Sequence, residues 1–179
     1  ISDYTYNELQ KFDFGSWFDK KFENERIVLF EDFMKEMQGK DLILAIELKE
    51  ENIENQTLQI IKQYYDSNKI FITSFSYNAL LNIRKLDNNI KIGWLIREDI
   101  NEYNIKELMQ IQGNQICPPA DLVSKEGIKL ARRNNLSIRL WKVSTLEIME
   151  NSYNLDIDGM TVNFPDKLKE LMERKNKNL

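Results

Sequence analysis

Histidine is absent from all 179 residues. That removes a Ser-His-Asp triad and a His-rich zinc site from anything these residues could build alone. Chemistry contributed by this chain must use carboxylates, lysines, hydroxyls or the backbone. There is one cysteine, Cys117, so no internal disulfide framework exists and a reducing, cytoplasmic setting is the expectation. With no histidine to activate it, Cys117 reads as an unreactive thiol. Only six glycines occur, and no glycine-rich phosphate loop follows any strand, so the dinucleotide fingerprint is missing. The net charge is −4 with no long basic run, which disfavours a nucleic-acid groove. A small basic cluster (Arg174, Lys175, Lys177) suits the solvated end of a last helix and its dipole. No apolar stretch approaches the length of a membrane span, and the N-terminus is not a signal peptide. The chain opens on Ile1 rather than Met, so it reads as a fragment, and membrane association would have to come from segments outside it.

What is present is ordinary for one globular domain over residues 1–179: 42% hydrophobic and 30% charged, enough to bury a core. Short apolar or β-branched runs alternate with helical periodicity. Strands are expected at Leu42–Leu48, Ile70–Ser74, Lys91–Ile96, Gln115–Cys117, Ser137–Val143 and Ile157–Val162. The intervening helices carry Ile53, Thr57, Ile60, Ile61 and Tyr64; then Ala79, Leu80, Ile83 and Leu86 behind an Ser76 cap; then Ile105, Leu108 and Met109 behind Asn104. A longer helix capped by Asp121 buries Val123, Leu130 and Ala131, and one from about Ser144 buries Leu146 and Met149. Pro165 opens the last helix, with Leu168, Leu171 and Met172 on it.

This alternation predicts a parallel α/β sheet, closed as a barrel or open and doubly wound. Its repeat of about 25 residues or slightly less matches eight units in a barrel of roughly 250 residues, and six units are visible. Residues 1–40 break the pattern. Thr5 and Glu8 form a capping box for a short helix, Gly15-Ser16-Trp17-Phe18 is an aromatic loop, and Leu29–Met37 is a helix with Phe33, Met34 and Met37 inward. This front part reads as an insertion, and residues 41–179 as the barrel units.

Several pieces, in order, carry a resemblance: Ser2-Asp3-Tyr4-Thr5 with Glu8-Leu9, Asp13-Phe14-Gly15-Ser16-Trp17-Phe18, Arg26-Ile27, Ile46-Glu47-Leu48-Lys49, Ser74-Phe75, Trp141-Lys142-Val143, and Asp158-Gly159 with Phe164-Pro165-Asp166. Together they resemble the glycerophosphodiester phosphodiesterase family, whose fold is the (β/α)8 TIM barrel. The resemblance implies metal-dependent hydrolysis of a glycerophosphodiester to an alcohol and glycerol 3-phosphate, with magnesium or calcium as the divalent ion. It also implies that the catalytic histidines and a Glu-x-Asp metal pair lie upstream of Ile1, on two strands that this chain lacks. The chain would hold strands three to eight and be inactive alone. Val28, Lys142 and Asn163 depart from the family pattern and keep a second reading open, a non-catalytic barrel that binds a phosphate-bearing ligand or a protein.

Glu47 and Lys49 stand two apart in a strand, so both point to one face, the barrel interior. They are either a buried or half-buried ion pair or, as the resemblance implies, a metal ligand (Glu47) and a phosphate contact (Lys49) at the catalytic end of the strand. Trp141 is either barrel-top packing or a pocket wall. Trp17 and Phe18 are either a plug that docks the insertion or the pocket mouth, and Ser74 either caps a helix or touches phosphate. Glu50, Glu51 and Glu54 read as a solvated first turn of a helix.

Overall fold

The computed structural model describes Ile1 and residues 3–176. Ser2 of the opening motif and Lys177 of the basic cluster lie outside the described residues.

The described chain forms two compact units. The first comprises Ile1–Asp41 and Ile60–Tyr65. In it α1 (Tyr6–Leu9) carries the expected capping box: the Glu8 amide donates to Thr5 Oγ1 at 3.4 Å, and Thr5 N donates to the Glu8 carboxylate at 2.7 Å. A loop follows, gathered on Asp13. Its carboxylate accepts from the amides of Gly15 (2.8 Å), Ser16 (3.0 Å) and Asn24 (3.1 Å). Those three donors hold the Asp13 carboxyl well below the usual carboxylate range. In α2 (Phe30–Met37) Met34 is fully buried, whereas Phe33, expected inward, is exposed.

The second unit contains Leu42–Gln59 and the described residues from Asp66 onward. Its strands are β1 (Leu44–Glu47), β2 (Ile70–Ser74), β3 (Lys91–Leu95), β4 (Gln115–Cys117), β5 (Ser137–Val143) and β6 (Gly159–Val162). Its helices are α3 (Glu54–Tyr64, whose last turns cluster with the first unit), α4 (Tyr77–Leu86), α5 (Glu102–Gln110), α6 (Lys125–Arg133), α7 (Leu146–Tyr153) and α8 (Pro165–Asn176). The sheet runs β1-β2-β3-β4-β5-β6, every neighbouring pair parallel. A doubly wound sheet reverses its strand order at a switch point; this one never does. Sequential order, with residues of β1, β2, β3, β5 and β6 lining one shared concavity, is the winding of a (β/α)8 barrel. The sheet is an incomplete, curled barrel of six strands.

Alternation along the strands divides the two faces. Ile72, Ile92, Ile116, Ile138 and Leu140 are fully buried; Ala79, Leu80 and Ile83 of α4 and Ile105 and Leu108 of α5 are nearly or fully so. Gly93 lies on the concave face, where a Cβ would come within 3.2 Å of Thr73 and 3.3 Å of Gln115, so the absence of a side chain there keeps the floor open. Among the described residues no helix is long and apolar enough to cross a membrane.

Several caps and faces differ from expectation. Asn101, not Asn104, caps α5, and Asn104 is the N3 partner of its capping box. Ser124, not Asp121, caps α6, and Asp121 instead pairs with Lys142. In each case two cap-competent residues stand three apart, and only the real helix start distinguishes them. Thr145 caps α7, and Leu146 is exposed because it occupies the first helical position. Leu42, Ile43, Leu86, Met109 and Met172 are also exposed. All but Met172, which lies within α8, sit at or beyond element ends, where periodicity overstates burial. Glu54, expected in a solvated turn, is 4% exposed at the start of α3, and its carboxylate accepts from Asn82 at 3.4 Å.

Among the described residues the outer edges of β1 and β6 have no strand partner. Such bare parallel edges template pairing with another chain. The 179-residue chain alone is therefore expected to self-associate, with its light-scattering mass rising with concentration. A constant monomer mass across concentrations, with no dye-binding apolar surface, would contradict this.

Candidate active site

The concavity of the barrel sheet holds a cavity of about 420 Å³ at the C-terminal ends of the strands. β1 and the residues after it supply Ala45, Glu47 and Lys49, alternate positions on one face, while Leu48 between them is buried on the other. The two-residue spacing thus brings both charges into the cavity, and Lys49 Nζ lies 2.7 Å from Glu47 Oε1. The pair is not buried, however. The Lys49 side chain is 73% exposed and that of Glu47 30%, because the six-stranded concavity is open to water. An exposed pair of this kind is worth about 0–1 kcal/mol, far below the cost of breaking a buried one.

Trp141 lines the same cavity from β5. Its indole Nε1 donates to the Ile96 carbonyl at 3.0 Å, and its ring packs edge-on against Phe75, with centroids 5.1 Å apart. Backbone bonds from Trp141 N to the Pro118 carbonyl (3.1 Å) and from Ala120 N to the Trp141 carbonyl (2.8 Å) fix the position. The face of Phe75 carries the Arg97 guanidinium, 4.2 Å from the ring centroid.

β5 also brings two cations beyond the expected site residues. Arg139 stands two residues before Trp141 and so shares its face; that spacing was the available signal. Its Nε donates to Gln115 Oε1 at 3.1 Å and its Nη1 to Thr161 Oγ1. Among the described residues no carboxylate comes within ion-pairing distance of it. Lys142 reaches the cavity through a register shift between Leu140 and Val143. Its φ is +61°, a left-handed conformation that costs a lysine roughly 1–2 kcal/mol, and its Nζ is 2.7 Å from Asp121 Oδ2. That bond holds the Asp121 carboxyl below its usual range. The lining therefore carries three cations (Lys49, Arg139, Lys142) and one carboxylate (Glu47), a field that attracts anions. Thr73 and Phe75 complete the wall from β2 and the loop after it.

Of the other expected site residues, Ser74 is not on the cavity wall. Ser74 is 2% exposed; its hydroxyl donates to the Leu48 carbonyl (2.8 Å) and accepts from Ser76 N (3.0 Å), tying the ends of β1 and β2 together. The helix cap itself is Ser76. Trp17 and Phe18 belong to the first compact unit, where they are 80% and 70% exposed and packed edge to face at 5.8 Å; Trp17 Nε1 donates to the Phe14 carbonyl. Cys117 is fully buried, and burial pushes its thiol up to about 11.

Among the described residues no three His, Cys, Asp or Glu side chains group closely enough to hold a metal ion. Glu47 offers one hard oxygen donor of the type magnesium and calcium take, on an edge strand. The donor set of the described residues fits a single protein ligand to such an ion and not a whole site.

Comparison with known proteins agrees with the fold. A glycerophosphodiester phosphodiesterase of Caldanaerobacter subterraneus subsp. tengcongensis is 25% identical over 97% of this chain and 73% of its own length. One of Bacillus altitudinis is 23% identical over 97% and 74%. Among solved structures, an Oleispira antarctica phosphodiesterase in complex with the product sn-glycerol-3-phosphate superposes with a TM-score of 0.87, at 18% identity, over 97% of this chain and 72% of that one. The sequence profile of the glycerophosphoryl diester phosphodiesterase family matches residues 1–167, and the chain belongs to that family.

Proposed function

We propose that this chain is the C-terminal part of a metal-dependent glycerophosphodiester phosphodiesterase, which releases an alcohol and glycerol 3-phosphate. The observation that carries this reading is the cavity at the strand ends, where Glu47, Lys49 and Trp141 converge from two strands. Active sites of barrels of this class lie at that end. Lys49 and Arg139 bring positive charge to a bound phosphodiester, and Trp141 and Phe75 offer apolar faces for its carbon skeleton. Glu47 would be one ligand of a magnesium or calcium ion, which when bound supplies charge neutralisation at the phosphate oxygens. In the reaction, water adds to phosphorus, the P–O bond to the alcohol breaks, and that alcohol leaves with a proton. The Glu-x-Asp pair and the histidines of the family's first two strands would complete the site. A second strand pairing along the free edge of β1 would bring its carboxylates beside Glu47.

The test is product release. The chain extended at its N-terminus to the length of its relatives should release glycerol 3-phosphate from glycerophosphocholine or glycerophosphoethanolamine with magnesium or calcium, and stop on chelation. The 179-residue chain should release none. An extended protein with intact histidines that forms no glycerol 3-phosphate would overturn this reading in favour of a non-catalytic, phosphate-binding barrel.

A further inference from the structure

A second cavity of about 390 Å³ adjoins the first and shares Phe75 and Leu95 with it. It opens between the starts of α4 and α5, and its chemistry is opposite. Beside Phe75, three further rings, Tyr77, Trp94 and Tyr103, line it together with Glu98 and Glu107. Against these two carboxylates stands one cation, Arg97, which is already seated on the face of Phe75. The lining charge is thus one minus two, or −1, beside a neighbour with three cations and one carboxylate.

Two of the rings are held in place. Tyr77 and Trp94 pack at 5.4 Å, tilted by 60°. The Tyr77 hydroxyl donates to the Glu107 carbonyl at 3.1 Å, and Trp94 Nε1 donates to the Phe75 carbonyl at 3.5 Å. Burial raises the Tyr77 phenol, and the nearby Glu107 charge adds to it. Fixed aromatic faces with carboxylates beside them attract a cation, most strongly one that is weakly hydrated, such as a quaternary ammonium.

Resting on the phosphodiesterase reading, we propose that Tyr77, Trp94, Tyr103 and Glu107 form a leaving-group subsite that selects diesters with a cationic head group. In a choline or ethanolamine diester only a two-carbon link separates phosphate from nitrogen, so the cationic and anionic subsites must be contiguous. Phe75 and Leu95 line both cavities.

The N-terminally extended protein would be assayed with glycerophosphocholine and with glycerophosphoglycerol, whose head group is neutral. A preference in kcat/KM of roughly tenfold for the choline diester is expected. Glu107→Gln and Tyr103→Ala change partly or well exposed positions, and each should bring the ratio towards one. A wild-type ratio near one, or a ratio that neither variant changes, would overturn the subsite while leaving the phosphodiesterase reading intact. If neither diester is hydrolysed, that reading fails, and the subsite is judged by binding alone. Choline chloride should then show saturable broadening of its methyl proton signal with the wild-type protein, reduced in Glu107→Gln; no broadening overturns the subsite as well.

Discussion

Replacing Lys49 with methionine in the N-terminally extended protein is expected to lower turnover by on the order of 10²-fold or more, by comparison with the loss of other preorganised charges. Methionine keeps the unbranched chain, one atom shorter, and removes the charge and the ammonium donors. The cavity still holds Arg139 and Lys142, so substrate should still bind, and the deficit should fall chiefly on kcat. Stability should hardly move. Lys49 is 73% exposed and its partner Glu47 30%, so breaking the pair removes about 0–1 kcal/mol. A buried pair would behave otherwise, with a loss of roughly 3–5 kcal/mol. A melting curve run beside the kinetics therefore separates a phosphate contact from a structural ion pair. A large fall in melting temperature with little change in kcat would contradict the assignment.

Glu47→Gln should produce the second large effect. The amide keeps the shape of the carboxylate but loses the charge that attracts a divalent ion, so activity at ordinary metal concentration should fall by roughly 10²-fold. Raising magnesium or calcium should restore part of it, because the ligands expected from the preceding strands remain. Lys49→Met should show no such rescue. This difference in metal dependence, more than the size of either loss, assigns the two residues separate roles. If extra metal rescued both variants equally, or neither, the division of labour would be wrong.

Much of the arrangement was legible in the sequence because it follows from period. Two charges two residues apart in an apolar strand must share a face, and Ile46-Glu47-Leu48-Lys49 does what that rule says. The barrel itself was not separable from a doubly wound sheet by alternation alone; the strand order decided it. Arg139 carries no motif of its own, although the same two-residue rule connects it to Trp141 on one face of β5. Lys142, legible only as a departure from the family pattern, could not be placed in the cavity. A lysine in a left-handed conformation at a register shift has no local signal, since no glycine or asparagine marks the spot. Likewise, the alternative of a buried or half-buried Glu47–Lys49 pair assumed a closed interior, whereas the open six-stranded concavity leaves Lys49 largely in water and Glu47 half-buried. The subsite lined by Tyr77, Trp94 and Tyr103 draws on two helices and a strand, a juxtaposition that only the fold reveals.

The central claim is that the Glu47 carboxylate holds a divalent ion in the cavity. It is tested most directly by titrating calcium and magnesium calorimetrically into the extended protein and its Glu47→Gln variant, with thermal melts of both in the absence of metal. Loss of groups that only support a metal ligand already costs roughly 10–100-fold in affinity, so loss of a ligand itself should weaken binding at least about tenfold, with metal-free melting temperatures unchanged. Equal metal affinity in the two proteins, accompanied by a lower melting temperature in the variant, would show Glu47 to be a structural ion-pair partner and would contradict the account.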